Sequence, residues 1–128
     1  MTQLRMAAEE YNKRQRKRRS KYHNKRVEVD GITFDSKREA RYYQGLMLRK
    51  RAGDIKDFVM QPEYLLQDGF SKNGVTHRAI KYKADFKVYH IDGTIEIVDV
   101  KGMETEVFKL KRKLFEKQYP DLSLKIVR

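Results

Sequence analysis

The segment Tyr82–Gly102, "YKADFKVYHIDGTIEIVDVKG", decides the fold, because it has the pattern of two β-strands joined by a tight turn. Apolar and polar residues alternate on both sides of Asp92-Gly93, a dipeptide that favours a hairpin. Each strand nevertheless carries an acid, Asp85 in the first and Asp99 in the second, and Lys101 follows the second. Because side chains in a strand alternate between two sides, Asp99 and Lys101 share one side of the sheet.

The length of the turn determines whether Asp85 and Asp99 meet. A two-residue turn would point the two carboxylates to opposite sides of the sheet. A three-residue turn, Ile91–Gly93, pairs His90 with Thr94 and sets the two acids directly opposite each other. It also keeps the apolar residues of the two strands on a common face. We therefore predict the three-residue turn, with its glycine in the left-handed conformation.

Two carboxylates opposite each other repel, so this pair needs a compensating partner. A divalent cation such as Mg²⁺ or Mn²⁺ prefers hard oxygen ligands and is often held by one or two carboxylates. Lys101 would place a positive charge beside that metal, where it would position or deprotonate a water or stabilise charge on a reacting phosphate. The alternative interpretation is an ordinary surface ion-pair cluster. The strands by themselves leave both open.

The elements around this hairpin predict an α/β fold. An earlier hairpin turns at Asp30-Gly31 and precedes a helix from about Ser36 to Ala52. From Ser36 onward we predict the order α-β-β-β-α-β, a mixed sheet with helices against it. The remaining predicted elements are strands at "PEYLLQDGF" (62–70), Ala79–His90 and Thr94–Lys101, a helix at Thr105–Gln118 and a final strand at "LSLKIV" (122–127).

Both helices carry start signals. Ser36 is the predicted N-cap of the first helix, and Glu39 follows at the spacing of a capping box. Glu39 also borders the inward face, so it either only caps the helix or also reaches a metal. Thr105 is the predicted cap of the second helix. The predicted apolar face of that helix comprises Val107, Phe108, Leu110, Leu114 and Phe115.

The charge of the chain is strongly basic and uneven. Lysine and arginine number 30 against 18 acids, a net charge of +12. Residues 1–26 hold ten basic side chains and two glutamates, a net +8. Such a block repels itself, and the commonest partner of a basic block is nucleic acid. The alternative is a solvated tail that serves solubility or targeting. We predict a basic arm at 1–26 and a single domain at 27–128.

The composition excludes several classes of site. The chain has no cysteine, which excludes disulfides, thiolate metal sites and a cysteine nucleophile. No apolar run approaches the length of a transmembrane helix, and charges stand where a signal peptide needs apolar residues. We therefore expect a cytoplasmic protein with no membrane partner.

The runs "SKREARYY", "ADF" and "IVDVKG" resemble the PD-(D/E)xK nuclease superfamily, over about residues 35–127. The first run and the segment after it also resemble small phage-encoded endonucleases and Holliday-junction resolvases. The resemblance implies a restriction-endonuclease-like core. It makes Glu39 the helix acid, Asp85 the metal-bridging aspartate, Asp99 the second acid and Lys101 the motif lysine. Gln61 matches a glutamine that precedes a proline in several relatives.

The resemblance also implies a function: Mg²⁺-dependent (or Mn²⁺-dependent) hydrolysis of phosphodiester bonds in DNA. The metal ligands would be Asp85, Asp99 and the carbonyl of Val100, with Glu39. Two positions depart from the family pattern. Ala84 replaces the usual proline, and Asp99 replaces the commoner glutamate and shortens the reach to a metal.

Phosphate contacts would hold the DNA without reading its sequence, so we expect selectivity for branched DNA such as Holliday junctions. Resolution of a junction needs two active sites, hence a homodimer. A phage enzyme of recombination or replication would work in the bacterial host cytoplasm. The alternatives are a non-catalytic DNA-binding accessory protein and an RNA-binding or RNA-cleaving protein. The expected phosphate contacts are Lys13, Arg14, Arg16, Lys17, Arg18, Arg19, Lys109, Arg112 and Lys113.

Overall fold

The computed structural model describes residues 26–128, which fall into two compact units that divide between Ala40 and Arg41. Helix α1 begins in the first unit and continues in the second. The elements are β1 (Val27–Val29), β2 (Ile32–Phe34), α1 (Lys37–Ala52), β3 (Ile55–Met60), β4 (Glu63–Gln67), β5 (Phe70–Lys72), β6 (Val75–His77), β7 (Ile80–Lys83), β8 (Phe86–His90), β9 (Ile95–Val100), α2 (Glu106–Gln118) and β10 (Ser123–Val127).

The first unit contains the predicted hairpin and the start of helix α1. Strands β1 and β2 pair antiparallel around Asp30 (φ 53°) and Gly31 (φ 76°). Positive φ at both central residues matches a type I′ turn, which Asp-Gly favours. The backbone N–H of Glu39 donates to Ser36 Oγ at 3.1 Å. The predicted hairpin and the predicted N-cap at Ser36 are both confirmed.

The main sheet of the second unit has the strand order β10-β9-β8-β3. Strand β10 runs parallel to β9, and the other neighbours are antiparallel, so the sheet is mixed, as predicted. Along the chain, the sheet and its helices follow the order α1, β3, β8, β9, α2, β10. The first strand is Ile55–Met60 rather than the predicted 62–70 segment. A register shift between Ile55 and Asp57 interrupts its alternation, which hides the strand in the sequence.

Strands β4 and β7 continue the pairing of β3 and β8 beyond an interruption in both strands. The N–H of Gln61 donates to the carbonyl of Asp85 at 2.8 Å, and the N–H of Ala84 donates to the carbonyl of Pro62 at 3.1 Å. We call these four residues the strand junction. The prediction of one continuous strand over Ala79–His90 is therefore wrong.

The junction also changes which side of the sheet the side chains face. Phe86 pairs with Val98, and its ring lies 5.4 Å from that of Tyr42 and 6.3 Å from that of Phe58. The prediction that the apolar residues of the two strands share a common face is therefore wrong for the residues before the junction, because the alternation is reset there. The cluster against helix α2 instead comprises Leu66, Tyr82, Ala84, Ile97, Phe108 and Phe115.

The turn between β8 and β9 has the predicted three-residue form. The N–H of His90 donates to the carbonyl of Thr94 at 2.9 Å, and the N–H of Gly93 donates to that of His90 at 3.1 Å. Gly93 has a φ of 89°, in the left-handed region that glycine tolerates. The predicted register and the predicted role of Gly93 are confirmed.

Helix α2 begins at its predicted cap, since the N–H of Phe108 donates to Thr105 Oγ1 at 3.1 Å. Phe108 and Phe115 are buried. Val107 and Leu110 are 63% and 59% exposed, so their predicted place on the apolar face is wrong. At 3.6 residues per turn, Leu110 lies about 200° round the helix from Phe108. In the described part of the chain, neither helix is long and apolar enough to cross a membrane.

Candidate functional site

Asp99 lies near the end of β9, between β8 and β10, and is only 3% exposed. The hydroxyl of Tyr82 donates a hydrogen bond to its Oδ2. Burial raises the pKa of Tyr82 well above its usual value, and the hydrogen bond to Asp99 raises it further. Tyr82 therefore remains a protonated donor, and Asp99 is the acceptor.

Lys101 follows β9 and lies beside Asp99. Its Nζ is 3.4 Å from Asp99 Oδ1 and 4.4 Å from the centroid of the Phe108 ring. An ammonium group over an aromatic face is stabilised by the ring quadrupole. The backbone N–H of Lys101 donates to the carbonyl of Val127 at 2.8 Å. The main-chain hydrogen bond and the contacts of the ammonium group therefore hold Lys101 beside the carboxylate of Asp99.

Asp85 lies in the strand junction, immediately before β8. Its N–H donates to the carbonyl of Val98 at 3.0 Å, and its Oδ2 accepts from the N–H of Val100 at 2.7 Å. These two bonds flank Asp99 on either side along β9. The register of β8 and β9 ends at Phe86 and Val98, one residue short of Asp85 and Asp99, so the direct pairing of the two acids stays a prediction. The side chain of Asp85 holds the two strands together.

Gln61 adjoins the site through its main chain. Its N–H bonds the carbonyl of Asp85, and its φ is 53°, in the left-handed region. For a residue other than glycine this conformation costs about 1–2 kcal/mol. The side chain of Gln61 is exposed. The structure therefore places Gln61 next to Asp85, with a contact made by the backbone rather than by the amide that the resemblance emphasised.

Glu39 lies in the unit that ends at Ala40, whereas Asp85, Asp99 and Lys101 lie in the unit that begins at Arg41. Glu39 is 7% exposed and lies in the first turn of helix α1. A carboxylate there interacts favourably with the helix dipole. The N–H of Glu39 donates to Ser36 Oγ, and both the reciprocal cap by its carboxylate and its role at a metal stay predictions.

The donors brought together here suit a hard divalent cation. Asp85 and Asp99 supply carboxylate oxygens, and Val100 supplies a main-chain carbonyl in the strand between them and Lys101. Mg²⁺ is usually held by one or two carboxylates and retains several waters, so the pair fits Mg²⁺ or Mn²⁺ in ligand type and number. Within residues 26–128, no group of three or more His, Cys, Asp or Glu side chains is arranged to hold a metal.

The predicted phosphate contacts divide into two sets. Those of the basic arm, Lys13, Arg14, Arg16, Lys17, Arg18 and Arg19, lie outside the described residues. On helix α2, Lys109 Nζ lies 3.4 Å from Glu106 Oε1, and Arg112 Nη1 lies 3.5 Å from Glu104 Oε1. Lys113 is exposed. The outer face of α2 thus carries both signs of charge, and exposed pairs of this kind contribute little stability.

Tyr82 is the site residue that sequence reasoning did not assign. The alternating pattern placed it among core residues, which is correct for its ring: the ring lies 5.4 Å from that of Phe115. Its hydroxyl, however, reaches a carboxylate 17 residues further along the chain. A buried tyrosine hydroxyl needs a partner, and that requirement is the signal that points to a nearby polar group.

One protein family matches the part of the chain that contains this site. No curated protein and no solved structure is significantly similar to the chain. A family model described as "Protein of unknown function (DUF1064)" matches residues 19–128, a span that includes Gln61, Asp85, Asp99 and Lys101. The match covers well over half of the chain, and the protein therefore belongs to the DUF1064 family.

Proposed function

We propose that the protein is a metal-dependent endodeoxyribonuclease of the PD-(D/E)xK type. The observation that carries the proposal is the position of three groups: Asp85 bonds to the residues on either side of Asp99, and Lys101 Nζ lies 3.4 Å from Asp99 Oδ1. The carboxylate of Asp99 is buried, and a buried charge lowers the stability of the fold unless an opposite charge or a hydrogen-bond donor compensates it. An acid, a second acid and a lysine in this order are the residues that the superfamily uses.

Each residue has a defined part in this proposal. Asp85, Asp99 and the carbonyl of Val100 would hold Mg²⁺ (or Mn²⁺), with Glu39 as a further ligand. When bound, such an ion polarises the phosphate and lowers the pKa of a coordinated water. The ammonium of Lys101 would orient the attacking water and stabilise negative charge on the phosphate oxygens. Tyr82 would keep the carboxylate of Asp99 in one orientation.

The element order supports the same proposal at the level of the fold. Helix α1, strands β3, β8 and β9, helix α2 and strand β10 form an α-β-β-β-α-β series around one mixed sheet. We propose that this series is a restriction-endonuclease-like core, with strands β4–β7 inserted after its first strand. In that core the two acids stand on the second and third strands; here Asp85 immediately precedes the second strand, β8, and Asp99 lies in the third, β9.

DNA is the proposed substrate because of the charge of the chain. A net charge of +12 favours binding to phosphates, which gives affinity without sequence reading. Selectivity for branched DNA, such as flaps and four-way junctions, follows from contacts that recognise shape. Symmetric cutting of a junction requires two sites, and a homodimer would provide them.

A second candidate is a non-catalytic DNA-binding module on the same scaffold. The observation in its favour is that both oxygens of Asp99 already have partners, Tyr82 on Oδ2 and Lys101 on Oδ1. A carboxylate neutralised in this way is stable as part of an ion pair without any metal. The two candidates differ in whether Asp99 is needed for cutting DNA.

The deciding experiment compares the wild type with Asp99→Asn on labelled four-way junction, flap, single-stranded and duplex DNA, in Mg²⁺, Mn²⁺ or EDTA. Asparagine keeps an oxygen for the Tyr82 hydroxyl, so the fold should persist. Asp121→Asn, at an exposed position, is the matched control. We expect metal-dependent cutting by the wild type and the control, and loss of at least a hundredfold in Asp99→Asn. Binding without cutting in every metal would instead favour the accessory module.

A further inference from the structure

The strands β5 and β6 form a hairpin that is fully exposed to solvent. Every residue from Gln67 to Ala79 is exposed. The two strands pair antiparallel around Asn73 (φ 52°) and Gly74 (φ 75°), the positive φ values of a type I′ turn. We call residues 69–78 the exposed hairpin. Its regular pairing and its solvation together indicate a preformed element available for binding.

The two sides of the exposed hairpin differ in chemistry. On one side Phe70 lies opposite His77, with ring centroids 4.7 Å apart and planes 24° from parallel. Lys72 lies opposite Val75 on the same side. The other side is polar, and its hydroxyls, those of Ser71 and Thr76, lie 3.3 Å apart. One side therefore combines a stacked aromatic pair with an apolar residue and a cation.

Within residues 26–128, this apolar and aromatic side is left exposed to solvent and is not part of the core. Phe70 is 47% exposed and Val75 is 53% exposed. A single exposed apolar residue needs no explanation. Here the apolar residues face solvent beside an aromatic stack that is already ordered, so a flat ring surface is available to a ligand at little entropic cost.

The charge of the surrounding chain indicates the class of that ligand. From Gly69 to Lys83 the sequence contains no acid, although Asp68 precedes this segment and Glu63 lies opposite Lys83. The outer face of helix α2, in contrast, pairs its cations with glutamates. The exposed cations of the segment are Lys72, Arg78, Lys81 and Lys83.

At the base of the hairpin, the backbone at Gly69 approaches the opposite strand closely. A Cβ placed on Gly69 would lie 3.1 Å from the carbonyl oxygen of His77 and 3.2 Å from the backbone nitrogen of Ala79. Only glycine allows this spacing without displacing the backbone. The hairpin therefore leaves the ribbon of β4 and β7 in a defined direction.

We propose that the exposed hairpin is a nucleic-acid-binding element, in which Lys72 and Arg78 contact phosphates and the Phe70–His77 stack accepts an unpaired base. The proposal rests on the proposed function for the identity of the nucleic acid as DNA. Bases stack on aromatic side chains irrespective of sequence, provided that they are unpaired. Phosphate contacts are available in every DNA. The hairpin would therefore favour DNA that offers unpaired bases, such as flaps and single strands, over closed duplex.

The test measures binding by fluorescence anisotropy in EDTA, with labelled four-way junction, single-stranded and blunt duplex DNA and the full-length chain. The variants are Phe70→Ala and the double variant Lys72→Ala with Arg78→Ala. The matched control for charge is Lys56→Ala with Lys125→Ala, since both control lysines are exposed and lie in the main sheet. All variants lie on the surface, and a thermal melt verifies that each one is folded.

We expect Phe70→Ala to weaken binding to single-stranded DNA roughly tenfold, a typical effect of losing one stacked base, and to leave binding to the duplex and to the fully paired four-way junction unchanged. The double variant should weaken binding to all three DNAs and reduce the slope of log affinity against log salt by about 2. The control pair should change the slope less. Hairpin variants that bind all three DNAs as the control does would overturn the proposal.

The binding measurements test the hairpin proposal whether or not the protein cuts DNA. If the hairpin variants lose binding while the wild type never cleaves in Mg²⁺ or Mn²⁺, the hairpin proposal stands and the nuclease proposal fails. If the wild type cleaves and the hairpin variants bind and cleave as it does, the reverse holds. If Phe70→Ala has no effect but the double variant does, base stacking is excluded and the surface binds by charge alone.

Discussion

The hydroxyl of Tyr82 donates a hydrogen bond to the buried carboxylate of Asp99, and so joins strand β7 to strand β9 of a different sheet. Either group alone would destabilise the fold at this buried position, because a buried carboxylate and a buried phenol both need a polar partner. The contact gives Asp99 a fixed orientation that the strand itself does not impose. Tyr82 is therefore a positioning residue for the candidate site.

Replacement of Tyr82 by phenylalanine should weaken both the fold and the site. The ring remains, so packing against Phe115 is retained, but Asp99 loses a donor while it stays buried. We expect the free energy of unfolding to fall by about 1–3 kcal/mol, as for other buried groups left without a hydrogen bond. Urea unfolding measures this change, and isothermal titration with Mn²⁺ measures the accompanying change in metal affinity.

Tyr119→Phe is the matched control for that experiment. The hydroxyl of Tyr119 donates to the carbonyl of Leu65 at 2.9 Å, at an exposed position where water can replace it. Its loss should cost less than the loss of the Tyr82 hydroxyl. Equal effects of the two substitutions, with unchanged Mn²⁺ affinity in both, would contradict a positioning role for Tyr82.

Two substitutions at Asp85 should separate its structural part from its chemical part. In Asp85→Asn the amide oxygen can still accept from the N–H of Val100, whereas Asp85→Ala leaves that donor without its partner. We expect Asp85→Ala to be less stable than Asp85→Asn by about 1–3 kcal/mol in urea unfolding. Both should lose metal-dependent cleavage, because neither retains a carboxylate. Cleavage by Asp85→Asn at the wild-type rate would remove Asp85 from the metal ligands.

Gln61→Gly should distinguish the backbone of Gln61 from its side chain. Glycine adopts a φ of 53° without strain, so the folded state should be as stable as the wild type or more stable, despite the greater freedom of the unfolded chain. Gln61→Val should be destabilised by about 1–2 kcal/mol, because a β-branched residue resists this conformation. A loss of cleavage in Gln61→Gly at unchanged stability would assign a catalytic part to the amide; unchanged cleavage would leave Gln61 with its backbone role.

Alkaline pH should destabilise the fold through the buried tyrosines. Burial raises the pKa of Tyr64 to about 12 and raises those of Tyr42 and Tyr82 as well. Below about pH 10 these phenols are protonated in both states. Above it the unfolded chain loses protons that the folded chain keeps, so the unfolded state gains stability and the free energy of unfolding falls as pH rises.

Unfolding in urea between pH 9 and 11 tests this expectation, together with absorbance at 295 nm, which reports tyrosinate. Tyr82→Phe should show a shallower decline of stability over that range, since one of the shifted phenols is gone. A free energy of unfolding that stays constant from pH 9 to 11 in the wild type would contradict the burial of these hydroxyls.

Much of the site was predictable because it depends on neighbours along the chain. The Asp92-Gly93 turn fixes the register of β8 and β9 as far as Phe86 and Val98, the residues next to Asp85 and Asp99. Lys101 shares a side with Asp99 through strand periodicity. These relationships depend only on a short turn and on the alternation of side chains along a strand, and both can be recognised in the local sequence. Gln61 was also found, although through a resemblance and not through its strained φ.

Errors arose where the chain departs from regular alternation. Strand β3 was missed because its register shifts between Ile55 and Asp57, and the strand over 79–90 was extended through the junction at Ala84-Asp85. Leu110 was assigned to the core because it is apolar, yet it lies far round helix α2 from Phe108. Irregularities of this kind are set by pairing with distant strands, which no local pattern reports.

Local sequence is enough to predict the hairpin turns at Asp30-Gly31 and Asp92-Gly93, the helix caps at Ser36 and Thr105, the basic charge and the register of β8 and β9. Each of these depends on hydrogen bonds or steric preferences within a few residues, or across one short turn. The bond of Tyr82 to Asp99, the position of Lys101 over Phe108 and the exposure of the hairpin at 69–78 become visible only in the folded chain. These depend on which distant surfaces pack together, because burial is a property of the assembled sheet and helices and not of any segment alone.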